Sequence, residues 1–312
     1  MADMIVAVRP DVILLLDVDF DASGATLGAL LQQLSQRGFD LPYHFSAMPN
    51  AGLQIAFDLD GDGRTRGPGD AQGFGSYAGQ GGMALLSRLP IDTGATRDFT
   101  GFLWRELPGA LSDARAPGAG GQRLSSVGHW DVALKLPNGG QVSVLAFHAT
   151  PPVFDGPEDR NGRRNHDEAA FWLAYLDGRL SQVPRGGPRV LLGDSNMDIA
   201  DSDGRSAAMA ALLDGRHLAD PRPRSNTGAN AALAEGGANT AHRGDPSLDT
   251  ANWEDRPNRP GNLRVDYVLP SRDWVVADAG ILWASDLDAA ASGSERLGPH
   301  HGLVWVDLVL DR

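Results

Sequence analysis

The chain has no cysteine, which excludes disulfides, thiol catalysis and zinc–thiolate sites and leaves the redox compartment open. It has no apolar run of about 18 residues, so no segment reads as a membrane-spanning helix. Positive charge is scarce: 27 Lys and Arg stand against 40 Asp and Glu, a formal net charge of −13. A broad nucleic-acid-binding face would normally be basic, so this balance disfavours one. It does not exclude a nuclease, because local arginines and a divalent cation can recruit a phosphate. Met1-Ala2-Asp3-Met4 shows neither a basic n-region nor an apolar h-region, so no signal peptide is visible. Glycine (39) and proline (20) are abundant and predict long loops. No tandem repeat or composition shift marks a boundary. The expectation is one domain over residues 1–312, large enough for a substantial core.

Several apolar runs end abruptly on a polar residue. Val12 to Leu16 reads as a buried strand leading into Asp17, Asp19 and Asp21, three acids at alternate positions. Val142 to Phe147 runs into His148 and pairs as a hairpin with 129–136 across Pro137-Asn138-Gly139-Gly140. Val190-Leu191-Leu192-Gly193 delivers Asp194 and Asn196, whose side chains point the same way on an extended segment. Arg264 to Leu269 carries Asp266, and His300-His301 precedes a last strand over 303–310. Gly82 to Ser87 reads as a further strand, and 52–57 as a short one. Helical spacing appears over 26–37 and 166–176, the latter with Asp167 and Glu168 in its first turn, where the helix dipole favours acids. Residues 151–165 and 220–262 read as polar loops, and 207–213 as a short helix. Strands joined by hairpins mix with strands joined by helices, which points to an α+β fold.

The residues at these strand ends are complementary in chemistry. Carboxylates are hard oxygen ligands for Mg²⁺, Mn²⁺ or Ca²⁺, histidine exchanges protons near neutral pH, and an Asn amide can orient a nucleophile. Together they suit metal-assisted attack of water on a phosphate ester.

In order and spacing, Pro10 to Asp17, Gly81 to Ile91, Phe147-His148, Gly193-Asp194-Ser195-Asn196, Val265-Asp266-Tyr267 and Pro299-His300-His301 resemble the motifs of the endonuclease/exonuclease/phosphatase superfamily. These are metal-dependent phosphoesterases similar to deoxyribonuclease I. The resemblance spans about residues 10–310. It implies a four-layer α/β/β/α sandwich with its site at one end. It also implies that Asp17, with Asp19 and Asp194, holds Mg²⁺ or Mn²⁺. Asp194 and Asn196 would orient phosphate and water, and His148 would lie near the scissile phosphate. Asp266 would support a histidine or the metal, and His301 would accept the proton from water. Three positions depart from the family pattern. Asp17 stands where Glu is usual, one methylene shorter. His300 replaces an Asp and becomes a candidate substrate contact. The chain begins after the family's first strand, so the expectation is a sandwich without it.

Two loops add candidates. Arg160, Arg163 and Arg164 follow the His148 strand, and guanidinium suits phosphate oxygens. Arg160 and Arg164 are therefore candidate substrate contacts, the alternative being bridges to Asp155, Glu158, Asp159 and Asp167 that order the loop. Asp58, Asp60 and Asp62 alternate around Gly61 as in a calcium loop, but Gly69 occupies the twelfth position, where such loops place Glu. A partial calcium loop and a solvated Asp-Gly turn both fit. The functional expectation is a monomeric phosphoesterase acting on a phosphate ester (a phosphodiesterase, nuclease or phosphatase), with nucleic acid disfavoured by charge. The alternatives are a catalytically silent binding protein on the same scaffold and a calcium-ordered protein whose acidic loop serves stability. Absence of cysteine and the acidic loop lean towards a secreted or periplasmic setting.

Overall fold

The structure, a computed structural model, describes residues 1–253, 259–287 and 300–310. The chain runs α1 (Ala2–Val8), β1 (Val12–Val18), α2 (Ala25–Gln36), β2 (Tyr43–Phe45), β3 (Gly82–Ser87), β4 (Arg97–Asp98), β5 (Gly128–Lys135), β6 (Gln141–His148) and α3 (Arg160–Leu176). It continues through β7 (Arg189–Asp194), α4 (Ala207–Leu213), α5 (Asn226–Glu235), β8 (Ala251–Asn252), β9 (Asn262–Leu263), β10 (Asp266–Pro270), β11 (Trp274–Leu282), α6 (Ala284–Leu287) and β12 (Leu303–Leu310). The main sheet has five strands in the order β10-β7-β6-β5-β4, and a second has three, β1-β3-β2. β6 and β7 are parallel, and every other pair is antiparallel.

The period of two along each strand sorts side chains into layers. Val12, Leu14 and Leu16 of β1 and Met83 and Leu85 of β3 pack against Trp130, Val132, Val144, Ala146 and Leu192 of the larger sheet. The intervening residues Leu15, Ala84 and Leu86 face the other way, onto Ile5 of α1 and Leu27 and Leu34 of α2. On the far face of the larger sheet, Leu145, Phe147, Leu191 and Leu269 pack on Phe171, Trp172 and Tyr175 of α3 and Met209 and Leu212 of α4. The elements therefore stack helices, sheet, sheet, helices. Each fully buried large apolar side chain contributes roughly 1.5–3 kcal/mol to holding the stack.

Several local expectations are corrected. α3 begins at Arg160, not 166. Its first turns are polar yet helical because Arg164 and Asn165 find buried partners there. Asp167 and Glu168 consequently lie past the first turn, and their partners are loops: Asp167 accepts from Trp104 Nε1 and Leu111 N at 2.6 Å each. Residues 52–57 form no strand, only a bridge from Gln54 to Ala71. The 220–262 stretch contains α5, capped by Ser225 Oγ, which accepts from Gly228 N at 3.1 Å. The pairing of β11 with β12 and the helix α1 were not read in the sequence. Among the described residues, no strand pairs with the outer edge of β1 or of β12. No described helix is long and apolar enough to cross a membrane.

Candidate active site

Strand register brings the site together. His148 is the partner of Asp194 across the parallel β6–β7 ladder. Asp194 is in turn the partner of Asp266 across β7–β10. Directly paired residues project from the same face. By parity with Ala146 and Leu192, that face looks into the gap between the two sheets. The residue of β7 preceding Asp194 is Gly193, where a Cβ would collide with the Phe147 carbonyl oxygen of β6.

Asp17 reaches the same rim from the second sheet. Strict alternation would turn it towards α2, but the β1–β3 register slips between Leu16 and Val18. Asp17 sits in that bulge with φ 55°, a left-handed conformation that re-aims its side chain. Its charge is felt by His148, Asp194 and His301. Asp19, two residues on, is engaged by neighbouring donors. Asp19 Oδ2 accepts from the Tyr77 hydroxyl at 2.5 Å and Oδ1 from Gly81 N at 2.9 Å. Asp21 accepts from Ala25 N at 2.6 Å and from Thr26 N at 3.2 Å, at the start of α2.

His301 enters from the segment before β12. Ala251 bridges to it, and Gly302 N donates to Thr250 O at 2.7 Å. Its Nδ1 lies 2.7 Å from Asp266 Oδ2, and the Trp253 ring stands edge-on to it with centroids 5.6 Å apart. His300 is exposed and contributes its carbonyl, which accepts from Asn252 N at 2.8 Å. Asn196, at φ 48°, donates its backbone N–H to Asp194 Oδ1 at 2.6 Å. Its side-chain Nδ2 donates to Ala149 O at 2.8 Å, so that amide ties β7's end to β6's.

The electrostatics follow from burial and crowding. Asp194 is 3% exposed. Burial, then the neighbouring Asp266 carboxylate, pushes its carboxyl well above the usual range. His148, with Nε2 3.6 Å from Asp194 Oδ2, is lowered by burial against the pull of the Asp17 charge. Among the described residues, its buried Nδ1 has no hydrogen-bond partner. Burial also opposes charge on His301, but the charge and hydrogen bond of Asp266, with Asp194 and Asp17 behind it, raise it to about 9. The ligand atoms of Asp194, Asp266 and His301 lie within 4.8 Å of one another. Carboxylates crowded so that one resists ionisation are a donor set that fits a hard divalent cation, whose charge would reverse that penalty.

The arginines have other roles. Arg164 is buried and donates to four main-chain carbonyls: Leu124 O at 2.8 Å, Gln72 O at 2.5 Å, Arg123 O at 3.0 Å and Ser125 O at 2.9 Å. Those contacts use its guanidinium to fix loops, not to face a ligand. Arg160 donates to Leu59 O at 3.4 Å and lies among Asp60, Glu158, Asp155 and Asp70. In the acidic loop, Asp58, Asp60 and Asp70 bring carboxylate oxygens within 4.8 Å of one another. Asp62 instead accepts from Arg64 N at 2.8 Å. Asp70, one position past the expected twelfth, is the third acid of this group; it is buried and accepts from Leu59 N and Gly67 N at 2.8 Å each.

Comparison with known proteins gives a consistent picture. No curated protein matches the chain. Among solved structures, an endonuclease/exonuclease/phosphatase from Beutenbergia cavernae superposes with a TM-score of 0.58 at 21% identity, over 99% of this chain and 65% of its own. The chain thus spans less than two thirds of that relative. Family proteins from Leptotrichia buccalis (TM-score 0.51, 15% identity, 99% of this chain and 91% of theirs) and Bacteroides thetaiotaomicron (0.51, 15%, 100% and 88%) share the fold. The model of the Endonuclease/Exonuclease/phosphatase family matches residues 1–294, and the chain belongs to that family.

Proposed function

We propose that this protein is a divalent-metal-dependent hydrolase of phosphate esters. The observation that supports it best is the single row His148–Asp194–Asp266 at the rim of one sheet, with His301 held on Asp266. Asp194 and Asp266, whose carboxylates converge, would hold the ion, Mg²⁺ or Mn²⁺, with Asp17 as the further ligand the family resemblance implies. When bound, it supplies charge neutralisation at the phosphoryl oxygens. Asp266 takes the Nδ1 side of His301. The surrounding carboxylates hold the ring charged below about pH 9, so its Nε2 would serve as the proton acceptor for water once a bound cation offsets that field. The imidazolium so formed is stabilised by the same carboxylate. Asp194 is fixed by the Asn196 backbone N–H, and His148 lies beside it to contact the substrate phosphate. The net charge of −13 favours a small phosphate ester over long nucleic acid. The test is turnover of bis(p-nitrophenyl) phosphate with Mg²⁺ or Mn²⁺ by wild type and His301→Ala. The substitution should reduce kcat by about 10²–10⁴-fold while the protein stays folded. Full turnover in the folded variant would remove His301 from the role.

A further inference from the structure

We propose that Asn165 is a positioning residue that sets the spacing between the two strand ends bearing His148 and Asp194. This rests on the phosphoesterase reading for its catalytic consequence, though not for its geometry. Asn165 lies in the second turn of α3 and is 2% exposed. Its Nδ2 donates to Thr150 O at 2.7 Å and to Ser195 O at 2.7 Å. Thr150 is two residues beyond His148, and Ser195 is one beyond Asp194. A single amide group therefore spans both loops from behind, on the helical side of the sheet.

The front of the same junction is closed by the loops themselves. Ala149 N donates to Asp194 O at 2.9 Å, and Asn196 Nδ2 donates to Ala149 O at 2.8 Å. Neighbouring residues of α3 hold the flanks. Glu168 accepts from Thr150 N at 2.8 Å and from Ser126 Oγ at 2.7 Å, while Arg164 fixes the 123–125 carbonyls. The two carbonyls that Asn165 serves face one donor group, and only a neutral side chain with two N–H bonds satisfies both without burying a charge. Alanine leaves both without that donor, and aspartate sets a carboxylate against them. The relative placement of His148 and of the Asp194–Asn196 pair is where an error of about 1 Å can cost roughly 10²-fold in rate.

The test uses the full chain and three proteins: wild type, Asn165→Ala, and Leu212→Ala, a buried α4 residue chosen as a destabilised control. Asn165→Ser replaces the alanine variant if that fails to fold. The first measurement is amide hydrogen exchange. In the Asn165 variant, protection at Ala149 and Asn196 should fall about tenfold or more relative to Val144 and Leu191. The second is kinetics on bis(p-nitrophenyl) phosphate with Mn²⁺. Here kcat should fall about tenfold or more with KM within about twofold, beyond any loss in Leu212→Ala. Exchange that rises uniformly over the molecule, or kcat no lower than in the control, overturns the proposal. If wild type hydrolyses nothing, the phosphoesterase reading fails, and exchange at Ala149 and Asn196 alone decides whether Asn165 positions the junction.

Discussion

Asp266 sits between Asp194, its partner across the β7–β10 ladder, and His301, whose Nδ1 is 2.7 Å from its carboxylate. One side chain thus links the sheet rim to a histidine that arrives from a distant segment. Asp266→Asn keeps the shape but removes the charge and can present an N–H to Nδ1, selecting the wrong tautomer. The expected result is a kcat loss on the order of 10–100-fold with KM little changed. Kinetics of the variant over a range of pH checks this, and an unaltered kcat would mean that His301 is oriented by something else.

The buried Arg164 offers a contrast with a phosphate clamp. Its guanidinium is engaged by four loop carbonyls and lies close enough to Glu168 for their charges to interact. Arg164→Leu should therefore destabilise the protein by about 3–5 kcal/mol, because the Glu168 charge and the carbonyls lose their partner. In the folded fraction KM should be unchanged. A phosphate contact would instead show a KM raised about tenfold or more. Urea unfolding and steady-state kinetics distinguish the two.

The candidate site was legible in part where apolar strands stop on a polar residue. Asp17, His148 and Asp194 follow that rule, whereas Asp266 opens its strand and His301 precedes β12, so those two are legible only through the family resemblance. At Asp19, parity along β1 cannot show the bulge at Asp17, and its carboxylate accepts from Tyr77 and Gly81. Arg164, Asn165 and Glu168 were illegible for another reason. Arg164 and Asn165 read as part of a polar loop and Glu168 as a first-turn helical acid, and their partners lie 15 to 92 residues away, where no local pattern encodes them. Asp70 stands one residue off the calcium-loop template, so the template does not assign it a ligand position although the fold brings it to Asp58 and Asp60.

A core histidine sets an acid limit on stability. His129 is buried against Trp172 and Phe171. Its Nε2 donates to Glu168 O at 3.0 Å, so Nδ1 accepts from Ser125 Oγ at 2.9 Å and the ring is neutral. Burial lowers it from 6.5 to about 4. The unfolded chain therefore binds the proton first as pH falls. The contribution of His129 is fully present above pH 6.5 and is lost as pH drops towards 4, up to about 3 kcal/mol. Thermal unfolding across that window should show the decline. Imidazole NMR should show His129 still neutral at pH 5.5, and titration near 6.5 would contradict the burial argument.

The most direct test of metal-dependent phosphoester chemistry at this rim is the rate of bis(p-nitrophenyl) phosphate hydrolysis by the intact chain with Mg²⁺ or Mn²⁺, after chelation, and after the ion is restored. The rate should vanish with chelator, return with the ion, and be absent throughout in Asp194→Ala. A rate indifferent to chelator, or one that survives in folded Asp194→Ala, would contradict it.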